Sequence, residues 1–258
     1  MSDLLVRPAS AGTLVDVTPE SAGWGHVGFE VLALAGDSAQ RATGERELCL
    51  VAVAGHCVVS SEHGDWTVGG RADPWSGPPD AAYLPPGTDL TLTGEGEIAL
   101  CWAPAGDGAQ ARVLPAAGVE VEIRGEGPFE RQIQPILMAD QSADSLLVVE
   151  VITPNGHWST YPPHKHDRAA MPDESALEET YYFRVAPAQG FGVARVYTGD
   201  GELDEAIAVR DRDTVLVPRG YHTVSAPPGY DLYYLNVMAG PTRAWAIAND
   251  PEHAWLLG

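Results

Sequence analysis

Short apolar runs, each cut off by a turn rich in glycine or proline, follow one another along the whole of this 258-residue chain. Glycine occurs 28 times and proline 21 times, and long apolar heptads are missing. Proline removes a helical hydrogen bond and clashes with the preceding turn, so such a chain cannot build long helices. The rhythm predicts many short strands joined by turns. With 45% apolar residues the chain can bury a substantial core.

Strands are expected over 47–54, 56–60, 65–68, 81–84, 89–92 and 97–103 in the first half. In the second half they are expected over 146–152, 179–185, 191–197, 206–209, 214–217 and 232–238. Helical turns are expected only at 169–177 and 242–257. The small, polar stretch 104–118 reads as a connection. Tyr83-Leu84-Pro85-Pro86-Gly87 is echoed by Leu216-Val217-Pro218-Arg219-Gly220, a strand ending in Pro-x-Gly in each half. These features predict an all-β protein of two tandem barrels, 1–118 and 119–258.

The net charge is −21, with 36 acidic residues against 15 Lys and Arg, which disfavours nucleic acid and anionic membrane as partners. No apolar run reaches the roughly 18 residues of a membrane span. The N-terminus lacks the apolar core of a signal peptide. Cys49, Cys57 and Cys101 lie in strand-like stretches, odd in number and without a CxxC pair. They read as buried free thiols in a reducing compartment, and the expected location is the cytoplasm.

The chemistry concentrates in the second half. Pro162-Pro163-His164-Lys165-His166 places two imidazoles at i and i+2, on the same side of an extended segment. Glu178 and Glu179 follow, and His222 comes after Pro218-Arg219-Gly220. Three histidines and a carboxylate suit one divalent ion (Zn, Mn, Fe, Ni or Co), with one or two positions open for a substrate. Strand alternation over 179–185 puts Glu179, Tyr181 and Phe183 on one face, and Glu178, Tyr182 and Arg184 on the other. His26, His56, His63 and His253 have no partners by pattern.

An HxH pair, a glutamate opening an aromatic strand and a histidine after Pro-x-Gly together resemble the two signature motifs of the cupin superfamily. Two spacings depart from that pattern: the insert Asp167 to Leu177 is longer, and the gap from Pro-x-Gly to histidine is one residue shorter. The resemblance implies a bicupin with metal ligands His164, His166, Glu179 and His222, and it favours Glu179 over Glu178. The N-terminal barrel, which lacks an HxH-and-glutamate set, would be metal-free.

Longer blocks narrow the family. The segment from Asn155 to Arg168, Leu177-Glu178-Glu179-Thr180-Tyr181-Tyr182 and the segment from Tyr230 to Pro241 resemble the bacterial 5-deoxy-glucuronate isomerases of myo-inositol catabolism. Gly69-Gly70-Arg71 and Tyr83-Leu84-Pro85 fit as well. His157, where that family has asparagine, and Thr160, where it has serine, depart from it. The resemblance implies a small-molecule deoxy-hexuronate substrate and an aldose–ketose isomerisation from 5-deoxy-D-glucuronate to 2-deoxy-5-keto-D-gluconate. Candidates for the proton transfers are Lys165, Asp167, Tyr182 and Tyr234, with Glu178 and Tyr181 beside them. Lys165 points away from its flanking histidines on an ideal strand. Tyr181 and a cation from Arg168, Arg184, Arg195 or Arg219 are expected to hold the substrate and its carboxylate. Competing readings are the uronate ketol-isomerase of pectin breakdown, an iron dioxygenase, and a sugar-binding cupin without activity. Fold analogy adds the expectation of a homo-oligomer paired through sheet edges.

Overall fold

The computed structural model describes residues 2–257. The strands are β1 (Leu5–Val6), β2 (Gly12–Val17), β3 (Gly28–Ala42), β4 (Arg46–Ser61), β5 (Gly64–Arg71), β6 (Ala81–Leu84), β7 (Asp89–Pro104), β8 (Arg112–Leu114), β9 (Glu122–Arg124), β10 (Arg131–Leu137), β11 (Leu147–Thr153), β12 (Trp158–Lys165), β13 (Asp167–Ala170), β14 (Glu174–Ala176), β15 (Glu178–Ala186), β16 (Gly192–Tyr197), β17 (Asp204–Val209), β18 (Thr214–Val217), β19 (Tyr221–Ser225), β20 (Asp231–Ala239) and β21 (Ala248–Asn249). One four-residue α-helix, Pro19–Ala22, stands among them. The chain is all-β, as its turn rhythm predicts. Among the described residues no helix is long and apolar enough to cross a membrane.

The chain divides into two compact units. One comprises residues 1–7, 122–133 and 150–258, the other 8–121 and 134–149. Three segments therefore fall on the other side of a cut at 118/119: residues 1–7, 119–121 and 134–149. The first is explained by β1, which adds to the edge of β18 with Leu5 opposite Val215. Arg7 fixes it further through an ion pair with the buried Asp213.

The N-terminal unit carries a sheet in the order β2-β3-β7-β4-β6-β8, with β5 paired to β4. The runs expected separately at 47–54 and 56–60 are one strand, β4, and those at 89–92 and 97–103 are one strand, β7. Gly55 and Gly96 are not turns but points where the two strands touch. A Cβ on Gly55 would lie 2.2 Å from the Glu95 carbonyl oxygen, and one on Gly96 2.2 Å from that of Ala54. At this crossing a register shift against β7 between Ala52 and Ala54 inserts one bulge in β4, while the shift against β5 between Gly55 and His56 leaves Gly70 as the extra residue of β5. The β4 bulge changes the parity of the core face. Leu48, Leu50 and Ala52 face the core before it, and Cys57 and Val59 after it. All three cysteines are free and buried.

Segment 134–149 is tied into this unit by Glu47, a fully buried carboxylate. Its Oε2 accepts from the Tyr83 hydroxyl at 2.6 Å and from the Asp144 amide at 2.9 Å. Its Oε1 accepts from the amides of Ser145 and Leu146 at 2.7 and 2.6 Å. A charge in an apolar interior persists only when hydrogen bonds replace its water.

Two sheets carry the strands of the C-terminal unit: one of seven strands, β1-β18-β15-β20-β11-β10-β9, whose β10 and β11 run on into segment 134–149, and one of five, β17-β16-β19-β12-β21. Tyrosines fill much of the interior: Tyr182, Tyr233 and Tyr234 are among its largest fully buried side chains. Residues 169–177, expected as helical turns, form instead the β13–β14 hairpin. Within 242–257 only a single 3-10 turn, Ala254–Leu257, is helical.

Glu47→Ala strands three backbone amides and a phenol without an acceptor. It should cost at least about 3 kcal/mol in the first unfolding transition in urea. Glu47→Gln, which keeps acceptor capacity on one oxygen, should cost clearly less.

Candidate metal centre

Four side chains converge between the two sheets of the C-terminal unit. His164 is the last residue but one of β12, where it pairs with His222 of β19 on one side and Asn249 of β21 on the other. Upstream, the β12–β19 register slips between Ser159 and His164, so residues 160–163 form a bulge. Thr160, inside it, has a φ of 54°, a left-handed conformation unusual for a β-branched residue. Its hydroxyl lies 3.3 Å from that of Tyr181. His166 sits just past β12 and is clamped to Leu177 at the far foot of the hairpin. The Leu177 amide donates to the His166 carbonyl at 2.8 Å, and His166 Nδ1 lies 3.2 Å from the Leu177 carbonyl. The insert between HxH and the glutamate is thus a hairpin that closes on itself and leaves His166 and Glu179 adjacent.

Glu179 projects from β15 between Val217 of β18 and Met238 of β20. Its Oε2 lies 3.0 Å from His166 Nε2 and 3.1 Å from His222 Nε2. The potential ligand nitrogens of His164, His166 and His222 lie within 4.8 Å of one another. His222 Nδ1 sits 3.3 Å from the Gly220 carbonyl. In both His166 and His222 Nδ1 is turned to a backbone carbonyl that can accept its proton, which leaves Nε2 facing the Glu179 carboxylate, to be protonated or to bind a metal. That is how metal-bound imidazoles are oriented. His222 Nε2 is buried and finds no well-formed hydrogen bond among the described residues. Imidazole nitrogens this close to a carboxylate oxygen need positive charge between them, and donor atoms on one ion with bonds of about 2.1 Å stand about 3.0–3.4 Å apart. The residues fit a divalent metal.

The electrostatics agree. Burial drives the His164 imidazole well below its ordinary pKa, with His222 and His166 adding to the effect, so it is neutral. Burial opposes a charge on His166 too, but the hydrogen bond and charge of Glu179 outweigh it and raise its pKa. Burial also opposes ionisation of Glu179, yet His166 and His222 hold its carboxyl down at about 2. Tyr181 is pushed well above the usual phenol value by burial and by Glu179. Tyr234 is raised, mainly by burial. Both phenols are protonated at neutral pH. The Tyr181 ring stands 5.7 Å from His222 and 5.0 Å from Tyr234, whose hydroxyl meets that of Ser159.

His164, His166, Glu179, His222, Tyr181 and Tyr234 therefore come together, and the other candidates do not. Lys165 points to the opposite side of β12, where Nζ donates to Asp167 at 2.5 Å and to the buried Glu174 at 2.6 Å. Asp167 Oδ2 accepts from the Gly220 amide at 2.7 Å. Arg168, largely exposed, donates to Glu174 from Nε and Nη2. These residues staple the hairpin. Arg184 is paired with Asp211 at 2.8 Å, Arg195 with Asp204 at 2.8 Å, and Arg219 with Glu202 at 3.1 Å. Tyr182 and Glu178 lie on the face of β15 away from Glu179, as alternation requires. Ser159 and Arg131 are not among the sequence candidates, and Thr160 stands there only as a departure from the family's serine. Arg131 opens β10 in a stretch where no strand was expected, although Ile133-Gln134-Pro135-Ile136 there already alternates.

Glu174→Ala leaves the Lys165 charge without its buried partner and frees the amides of Asp167 and Arg168. Thermal or urea unfolding should show a loss of about 3–5 kcal/mol. Arg168→Ala, which removes only an exposed partner, should cost less than about 1 kcal/mol.

Comparison with known proteins places this geometry. The KduI/IolB family matches residues 4–256. A 5-deoxy-glucuronate isomerase of Geobacillus kaustophilus is 49% identical over 265 residues, covering 100% of this chain and 96% of that protein. The 5-deoxy-glucuronate isomerase of Bacillus subtilis strain 168 is 41% identical, covering 100% and 99%. The crystal structure of an IolB-like protein from Salmonella typhimurium superposes with a TM-score of 0.97 at 44% identity, covering both chains completely. The oxalate decarboxylase of Lactobacillus farciminis, at 13% identity, a TM-score of 0.66 and coverage of 100% and 90%, shares the fold alone, and that fold is bicupin-like. The chain belongs to the KduI/IolB family.

Proposed function

We propose that this chain is a metal-dependent aldose–ketose isomerase converting 5-deoxy-D-glucuronate to 2-deoxy-5-keto-D-gluconate in myo-inositol breakdown. The observation that carries the reading is the convergence of His164, His166, Glu179 and His222 beside two buried phenols, in a chain up to 49% identical over full length to proteins of that name. A divalent ion held by these residues would polarise the carbonyl and offset the negative charge that develops on oxygen during isomerisation. The donor set suits Zn, Mn, Fe, Ni or Co.

Moving the carbonyl from C1 to C2 carries one proton from C2 to C1 and another from the C2 hydroxyl to the C1 oxygen. Tyr181 and Tyr234, protonated at neutral pH, would donate hydrogen bonds to the sugar oxygens and relay the second of these protons, each phenol giving one proton and taking one back. The Tyr234–Ser159 and Tyr181–Thr160 hydroxyl pairs orient those phenols. Three buried, reduced thiols suit a cytoplasmic enzyme.

The deciding experiment incubates metal-loaded protein with 5-deoxy-D-glucuronate in D2O and follows proton NMR. Loss of the aldehyde or hydrate signal with growth of the ketone product supports the reading. Turnover only of the pectin-derived uronate would move the assignment to that ketol-isomerase. Oxygen consumption without isomerisation would make it a dioxygenase.

Metal binding offers a second check. The His166 pKa is raised above 6.5 in the metal-free chain, so that imidazole loses its proton when it becomes a ligand. Apparent affinity should fall as pH drops through the His166 pKa. Calorimetry in buffers of different ionisation heat should show more protons released per ion at pH 6 than at pH 8. His222→Ala should lose at least about tenfold in affinity at either pH while keeping the fold.

A further inference from the structure

A uronate differs from a neutral sugar by one carboxylate, and a chain of net charge −21 repels it unless a cation waits inside the site. Arg168, Arg184, Arg195, Arg219 and Lys165 are all committed to carboxylates of the protein. Arg131 is held differently. Its Nη1 donates to the carbonyls of Phe129 at 3.1 Å and Arg124 at 3.3 Å. Its Nε is buried and finds no partner among the described residues. Glu122, an acid close by, is taken by Arg124 in a two-bonded fork at 2.9 and 2.7 Å.

The turn before β10 is shaped around this guanidinium and fastened to the metal-binding strand. Gly125 has a φ of 87°, and a Cβ there would fall 2.8 Å from Arg131 Nη1 and 2.2 Å from the Phe129 carbonyl oxygen. The Phe129 ring stacks at 5.1 Å on Tyr161, in the β12 bulge that leads to His164. His157 Nδ1 lies 2.8 Å from the Glu130 carbonyl. The departure from the family's asparagine thus falls on the loop that steadies Arg131. Arg131 thus follows a turn fastened to the strand that leads to His164, and its charge is felt at Tyr234 and His164.

We propose that Arg131 receives the substrate carboxylate, with Nε as its unclaimed directional donor, and so makes the site selective for acid sugars. This rests on the isomerase reading and names the residue that sets its substrate class.

The test measures calorimetric affinity of metal-loaded wild type, Arg131→Gln and Arg131→Lys for two unreactive ligands. One is 5-deoxy-D-glucuronate reduced at C1 to the alcohol; the other is the same compound with its carboxylate also reduced. The Gln variant should lose about 10- to 100-fold in affinity for the acid and none for the alcohol. The Lys variant should recover part of the loss, with metal content and melting temperature of both variants near wild type. Equal losses for both ligands, or an unchanged acid affinity, would overturn the proposal. Failure of wild type to isomerise 5-deoxy-D-glucuronate would sink the isomerase reading alone, because the two affinities still report on Arg131.

Discussion

Glu179 is a carboxylate buried to 3% exposure, and the C-terminal unit is organised by what that charge requires. Burial alone would protonate it; only His166 and His222, 3.0 and 3.1 Å away, keep it ionised. Those imidazoles in turn need their Nδ1–H groups turned outward, and the Leu177 and Gly220 carbonyls do this. Leu177 is positioned because the β13–β14 hairpin closes, and the hairpin closes because Glu174 gathers Lys165 and the amides of Asp167 and Arg168. The arrangement is therefore a chain of dependencies from one carboxylate to a second, on opposite sides of β12. It gives Lys165 and Asp167 a role in holding His164 and His166 in place, without bringing either side chain to the sugar.

What could be read from sequence follows from range. His164 and His166 share a side because alternation is a property of the strand itself, and the same rule puts Glu179 and Tyr181 together and Tyr182 opposite. The partner of an arginine has no such local cause. Arg184 finds Asp211 and Arg195 finds Asp204 through pairings that only the folded sheets create. The hairpin at 167–176 was hidden for the same reason, since the Glu174 carboxylate, rather than any turn residue, organises its backbone. Gly55 and Gly96 misled in the other direction. A glycine marks either a turn or a close approach of two backbones, and only the opposing strand reveals which. Arg131 carries no local signal either, since the turn before it is set by the Phe129–Tyr161 stack that only the fold creates.

The bulge in β12 shows how local strain serves the site. Slipping the register between Ser159 and His164 turns Ser159 and Thr160 toward the two phenols while His164 resumes pairing with His222. A regular strand would alternate these side chains away from one another. The left-handed conformation of Thr160 costs about 1–3 kcal/mol and is held by the sheet on either side. The departure from serine at this position keeps the hydroxyl, which is the group the geometry uses.

Charge balance links the metal centre to Arg131. On the proposed reading, three neutral imidazoles and one carboxylate would leave a divalent ion with about one net positive charge, and Arg131 would add a second. A bound uronate would bring one negative charge in its carboxylate. Isomerisation would develop another on the sugar oxygen, so the occupied site would approach neutrality only as the carbonyl begins to move. In a buried site this would favour the rearranging sugar over the resting one. A neutral sugar would leave the half-buried Arg131 without a counter-charge, at a cost that burial enlarges. On this reading, selectivity for the acid and stabilisation of the reacting state would come from the same imbalance, shared by a metal at the histidines and the Arg131 guanidinium.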